Sequence, residues 1–203
     1  TCNWHQRDPF NRYCYTDSGQ IAVAGCVAVA IAQAMSRYSY PTVVDLTFEG
    51  APCDEITIDW NICKSHNSSH GECDACDSNA LLLREIGERC NMHYGDTTST
   101  AKVDSAQFCL TSFGYNYSYH DSFDINPVIN SLDQGKTVIM KGSKVKQLSP
   151  LKYVAHMWNV DGYYYLEETI HCYKVTDGTP FKDYEGYKKE KSWYLYFDYG
   201  WGN

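Results

Sequence analysis

From Cys26 to Tyr38 the chain reads CVAVAIAQAMSRY, apolar almost all the way round, and the run stops ahead of Pro41. A run without a polar face predicts a helix buried on most sides. Gly25 just before it permits a tight turn and lets a second backbone or a ligand come close. The segment NALLLREIGE, residues 79–88, sets apolar positions at helical spacing behind Asn79 as an N-cap candidate, and predicts a second, amphipathic helix. Another follows Thr100, where TAKVDSAQFCLTSF places Val103, Ala106, Phe108 and Leu110 on a broad apolar side and Gly114 ends the helix. A short helix is predicted over Pro127 to Asp133. Beyond it the pattern changes: TVIMKG, VAHMWNVDGYYYL and SWYLYFDYGWG are rich in Val, Ile, Tyr and Trp and predict strands. Residues 50–78 carry Cys53, Cys63, Cys73 and Cys76 among Ser, His and Asn, and read as an irregular excursion held by disulfides. Helices first and strands later predict an α+β fold. We expect a single domain over 1–203, with a helical lobe over about 1–125 and a sheet lobe over about 126–203.

Composition narrows this picture. A chain of 203 residues buries a sizeable core, and its 18 tyrosines favour strands and an aromatic-lined surface. The formal net charge of -8 argues against nucleic acid as a partner, because phosphate contacts need clustered Lys and Arg. The basic stretch YKKEK, 187–191, has an acid inside it and reads as a solvated face. Ten cysteines suggest disulfides and an oxidising compartment, hence a secreted, periplasmic or cell-surface protein. The sequence starts at Thr1 without a signal segment, so any targeting part is expected to be removed or to lie outside it. No membrane span is expected, since the 26–35 run is too short and contains Gln33.

The candidate chemistry centres on Cys26. A buried cysteine is often core filler or half of a disulfide. In the first turn of a helix, however, unpaired N–H groups and the helix dipole favour thiolate. A thiol nucleophile also needs an imidazole. His156, between apolar residues in a predicted strand, is the best placed; His66 and His70 lie in the excursion, and His93, His120 and His171 in polar surroundings. Gln6, in WHQRDPFN, offers an amide donor that could hold an oxyanion together with the Cys26 N–H. A zinc site built from Cys53, Cys63, the Cys73/Cys76 pair, His66 and His70 has the wrong spacing, so structural disulfides are preferred and no metal is expected.

WHQRDPFN, AGCVAVAIAQAMSRYSYP, GYNYSYH, AHMWNVDGY and YFDYGWGN occur in an order and spacing that resembles the streptopain family of papain-like cysteine peptidases, through nearly the whole chain. The resemblance implies a papain-like fold, Cys26 as nucleophile, His156 as general acid/base and Gln6 as oxyanion donor. Gly25 and Ala155 would flank the substrate, and Tyr199 and Trp201 would shield the site. Asp198 falls where the family usually carries asparagine, and Tyr199 where it usually carries tryptophan. The Asp198 charge would stabilise the imidazolium, so His156 is expected to lose its proton at higher pH than in relatives with asparagine. The resemblance further implies protein or peptide substrates, no cofactor, and a precursor whose inhibitory pro-segment makes it a zymogen.

The chain also departs from the family in the polar stretch 163–192, which is longer than expected and reads as a surface hairpin or a flap, and in stopping at Asn203. The leading expectation is a secreted cysteine endopeptidase acting through an acyl-enzyme. The alternatives are a transpeptidase that passes the acyl group to an amine, and a catalytically impaired peptidase scaffold serving as a binding protein.

Overall fold

Small apolar residues let other elements approach the 26–38 run from every side, and the resulting helix α1, Cys26–Tyr38, is buried continuously from Val27 to Ser36. The computed structural model describes residues 2, 4–65, 74–148, 151–175 and 182–201. After α1 come strand β1, Val43–Asp45, and strand β2, Glu55–Thr57, which pair antiparallel with Val44 opposite Ile56. Helix α2, Trp60–Ser65, and helix α3, Asp74–Arg89, follow, then helix α4, Val103–Ser112, and helix α5, Ile125–Asp133. The chain finishes in strands β3, Val138–Leu148, β4, Leu151–Val175, and β5, Lys182–Asp198, one sheet with β4 in the middle.

Helix α1 is packed by α3, α4 and β3. Leu82, Leu83 and Ile86 of α3 are fully buried in this core, each contributing about 1.5–3 kcal/mol relative to exposure. Trp4 stacks on Trp60, with ring centroids 6.4 Å apart, and so fixes the N-terminal segment to α2. Among the described residues one charged group is fully enclosed: Glu85 of α3 accepts from Thr47 N at 2.6 Å, Thr47 Oγ1 at 2.8 Å and Arg89 Nε at 2.7 Å. The Arg89 guanidinium in turn lies 4.0 Å over the Phe113 ring. A buried carboxylate is tolerated here because every lone pair that matters meets a donor.

The helical pattern predicted α1 to the residue, while α3 begins five residues ahead of Asn79. The 50–78 excursion is more regular than expected, holding β2, α2 and the start of α3. His66, His70 and Cys73 lie outside the described residues, as does the side chain of Cys76. The expected disulfide framework is not seen: Cys2, Cys14, Cys26, Cys53, Cys90, Cys109 and Cys172 are free thiols, and among the described residues there is no disulfide. Their environments explain this. Most are buried as small hydrophobes with weak polar partners: the Cys2 thiol donates to Ser36 Oγ at 3.2 Å, the Cys14 thiol meets the Tyr94 hydroxyl, and the Cys109 thiol meets that of Cys90.

The chain divides into two compact units, Thr1–Asp161 with Phe197–Asn203, and Gly162–Tyr196. In the second unit the described parts of the 163–192 stretch, 163–175 and 182–192, form a two-stranded ribbon of β4 and β5. Tyr163 meets Trp193 and Tyr173 meets Tyr184, so the strands run in opposite directions. Tyr164 and Tyr194 stack at 4.7 Å and 7°, and Lys189 bridges Glu167 at 2.8 Å. A lone two-stranded ribbon is marginal in water. Cross-strand aromatic pairs of this kind supply what a missing third strand would. Among the described residues no helix is long and apolar enough to cross a membrane.

Candidate active site

Gly25 is the N-cap of α1 at φ 90°, with no side chain to cap the helix. A Cβ there would stand 3.0 Å from Met92 Cε and 3.3 Å from Ser99 Cβ, so glycine is required by both conformation and space. The first-turn N–H groups are therefore not covered by a capping side chain. Cys26, half-buried, turns its sulfur towards them: the backbone N–H groups of Met157, Val27 and Cys26 lie near the thiol and favour its thiolate form. Burial nevertheless outweighs these donors and raises the thiol above its ordinary value. The helix terminus, on which the sequence argument leaned, is not enough by itself to ionise Cys26.

Met157 follows His156 in β4, and its N–H, close to the thiol, places the histidine strand beside the nucleophile candidate. Alternation along β4 sends Met157 into the core and His156 to the other face. His156 is opposite Gly142 of β3, and Trp158, two residues on and on the same face, is opposite Met140. Trp158 stacks on the imidazole with centroids 6.1 Å apart at 15°. The Trp158 ring overlies Gly142, where a Cβ would be 2.7 Å from Cη2.

Beyond β5 the chain turns back over α1. Gly200, at φ 65°, approaches so closely that a Cβ would lie 2.6 Å from Val29 Cγ1. This turn presents two groups to one imidazole nitrogen: the Tyr199 carbonyl lies 2.9 Å from His156 Nε2, and the Trp201 indole N–H donates to it at 3.0 Å. The Tyr199 ring is tilted against the imidazole at 5.9 Å, and the Trp201 ring meets it edge-on at 5.4 Å. Asp198 starts the turn, accepting from Gly200 N at Oδ1, 2.9 Å, and from Gln33 Nε2 at Oδ2, 3.0 Å. Hence the acceptor found at Nε2 is a backbone carbonyl, one residue past the carboxylate whose charge was expected to stabilise the imidazolium.

Gln6 is half-buried, and its carbonyl accepts from Ala24 N at 2.9 Å, tying its backbone two residues ahead of Cys26. Ala155 is exposed and opposite Ser143. Sequence reasoning missed Trp158 and the Tyr199 carbonyl. The period-2 spacing of Trp158 from His156 could have signalled the first; nothing in the sequence marks a particular carbonyl.

The family described as "Peptidase C10 family" matches residues 4–203 of the chain. Among solved structures the chain is similar to the active wild-type interpain A cysteine protease of Prevotella intermedia, with 23% identity over 79% of this chain and 74% of that one and a TM-score of 0.62. It is also similar to a prointerpain A fragment of the same organism, with 21% identity, 79% and 55% coverage and a TM-score of 0.58, so it spans about half of that fragment. These likenesses show the fold, the mixed α+β architecture of papain-like enzymes. No curated protein matches the chain.

Proposed function

Because the chain belongs to the Peptidase C10 family and is thereby a cysteine peptidase, we propose that it is an endopeptidase acting through a Cys26 thiolate and a His156 imidazolium. The observation that carries this reading is the approach of the Met157 N–H to the Cys26 thiol, which puts the start of α1 beside the residue after His156. Since burial alone would keep the thiol protonated, the thiolate forms by passing its proton to His156. The Tyr199 carbonyl then accepts the Nε2–H of the imidazolium and supports the ion pair.

The thiolate attacks the scissile carbonyl, and the Cys26 N–H with the Gln6 side chain holds the oxyanion. His156 gives its proton to the departing amine, leaving an acyl-enzyme. Water, deprotonated by His156, releases the acid. Tyr199 and Trp201 exclude solvent from the imidazole, Asp198 anchors the turn that carries them, and Gly25 and Ala155 leave room for the substrate backbone. This chemistry needs no metal or organic cofactor. We further propose that the protein acts on protein or peptide substrates outside the cytoplasm, and that it arises from a precursor with an inhibitory pro-segment, a reading supported by its similarity to the prointerpain A fragment. The free thiols, Cys26 among them, lead us to expect activation by mild reductant.

Digestion of reduced casein under mild reductant tests the reading. Fragments from the wild type and none from Cys26→Ala are expected; no cleavage by either protein overturns it.

A further inference from the structure

Gln33 lies on α1 seven residues past Cys26, two helical turns along and on the same side. It is fully buried. Burying a carboxamide costs free energy unless its donors and acceptor are met, and here they are met by three separate segments. Its Nε2 donates to the Cys2 carbonyl at 2.9 Å and to Asp198 Oδ2 at 3.0 Å, with the Trp4 carbonyl at 3.4 Å sharing one of these protons. Its Oε1 accepts from Asn159 Nδ2 at 3.0 Å, and the same Nδ2 also donates to the Ala30 carbonyl at 2.9 Å.

Each of those segments carries one part of the proposed machinery. Cys2 and Trp4 lead directly into Gln6. The helix that bears Gln33 begins at Cys26. Asn159 is three residues beyond His156 on β4. Asp198 opens the turn that delivers the Tyr199 carbonyl and the Trp201 indole to His156 Nε2. A leucine in place of Gln33 would serve the core at least as well, so packing does not account for the choice. We propose that Gln33 is a positioning residue for the peptidase reaction: one carboxamide sets the relative places of nucleophile, imidazole, oxyanion donor and imidazole partner. It touches no reacting atom itself and acts through Asp198 and Asn159.

The inference rests on the cysteine-peptidase reading, and its test separates the two. Wild type, Gln33→Met, Gln33→Glu, Asp198→Asn and the Gln33→Met/Asp198→Asn double variant are compared in casein cleavage. Iodoacetamide alkylation of Cys26 is followed against pH by peptide mapping, which needs no turnover. For a misplacement on the ångström scale, kcat of Gln33→Met is expected to fall by about 10²-fold with KM little changed. The alkylation curve should lose its neutral-pH plateau and become a simple thiol ionisation. Asp198→Asn should cost less in the Gln33→Met background than in the wild type, because the two act as a unit. Gln33→Glu should recover activity as pH falls, since only the protonated acid can donate to its buried acceptors.

A folded Gln33→Met variant with wild-type kcat and alkylation curve overturns the proposal. Should Gln33→Met fail to fold, Gln33→Glu decides: a pH profile parallel to the wild type overturns it, and an acid-favoured profile upholds it. If the wild type cleaves nothing while the alkylation curves still change, the peptidase reading fails and the positioning role stands.

Discussion

At His156 one nitrogen, Nε2, faces groups of opposite kind. The Tyr199 carbonyl can only accept and the Trp201 indole can only donate, so each serves one protonation state. Protonated Nε2 donates to Tyr199; unprotonated Nε2 accepts from Trp201. Trp201→Phe keeps a ring beside the imidazole but removes its N–H donor, so kcat in casein cleavage should fall while the variant stays folded, and an unchanged kcat would contradict the assignment. Gly25 is a residue-scale constraint of another sort. Gly25→Ala must adopt φ 90° and press on Met92, which should cost more than about 1 kcal/mol in urea unfolding and lower kcat through its neighbour Cys26.

Among the elements, α3 is fixed to the β1 side of the fold by an enclosed ion pair. Glu85→Ala would leave Arg89 and the Thr47 donors without their acceptor, an expected loss of about 3 kcal/mol or more in chemical denaturation, with kcat at a permissive temperature unchanged. Gly142→Ala should do the reverse. Its Cβ would push on the Trp158 ring, whose neighbours are the imidazole and the Phe197 and Tyr199 rings, so activity should fall well before stability does; equal kcat in the variant would refute the link. This scale also shows what the sequence made legible. The all-round apolar run over 26–38 and the Val-, Ile-, Tyr- and Trp-rich stretches after Asn126 come from packing rules that act along the chain, and the elements follow them. Pairing across the chain is different. Nothing local in LREIGER announces that Glu85 is enclosed, and cysteine counting suggested disulfides where thiols instead meet Ser36, Tyr94 and one another. For the proposed site the sequence offered the side chains, Cys26, His156 and Gln6. The Tyr199 carbonyl was not, because every residue carries one and only the turn at Gly200 selects it.

Across the whole molecule, buried thiols set an alkaline limit on stability. Burial pushes the Cys14 thiol up from 9.0 to about 11. Its protonated form is favoured by folding, so this contribution is complete below about pH 9 and is lost as pH rises through about 11. Two units correspond to about 3 kcal/mol. The stability difference between wild type and Cys14→Ala should shrink over that interval and hold steady below it; a difference independent of pH would refute the assignment. The five tryptophans are also unevenly distributed. Trp4 and Trp60 stack in the core, Trp193 sits in the ribbon between Tyr163 and Tyr165, and Trp158 and Trp201 both lie against His156. An imidazolium quenches indole emission more strongly than a neutral imidazole does. Intrinsic fluorescence should thus brighten as His156 loses its proton and stay level in His156→Gln, which makes the molecule an optical indicator of its own histidine.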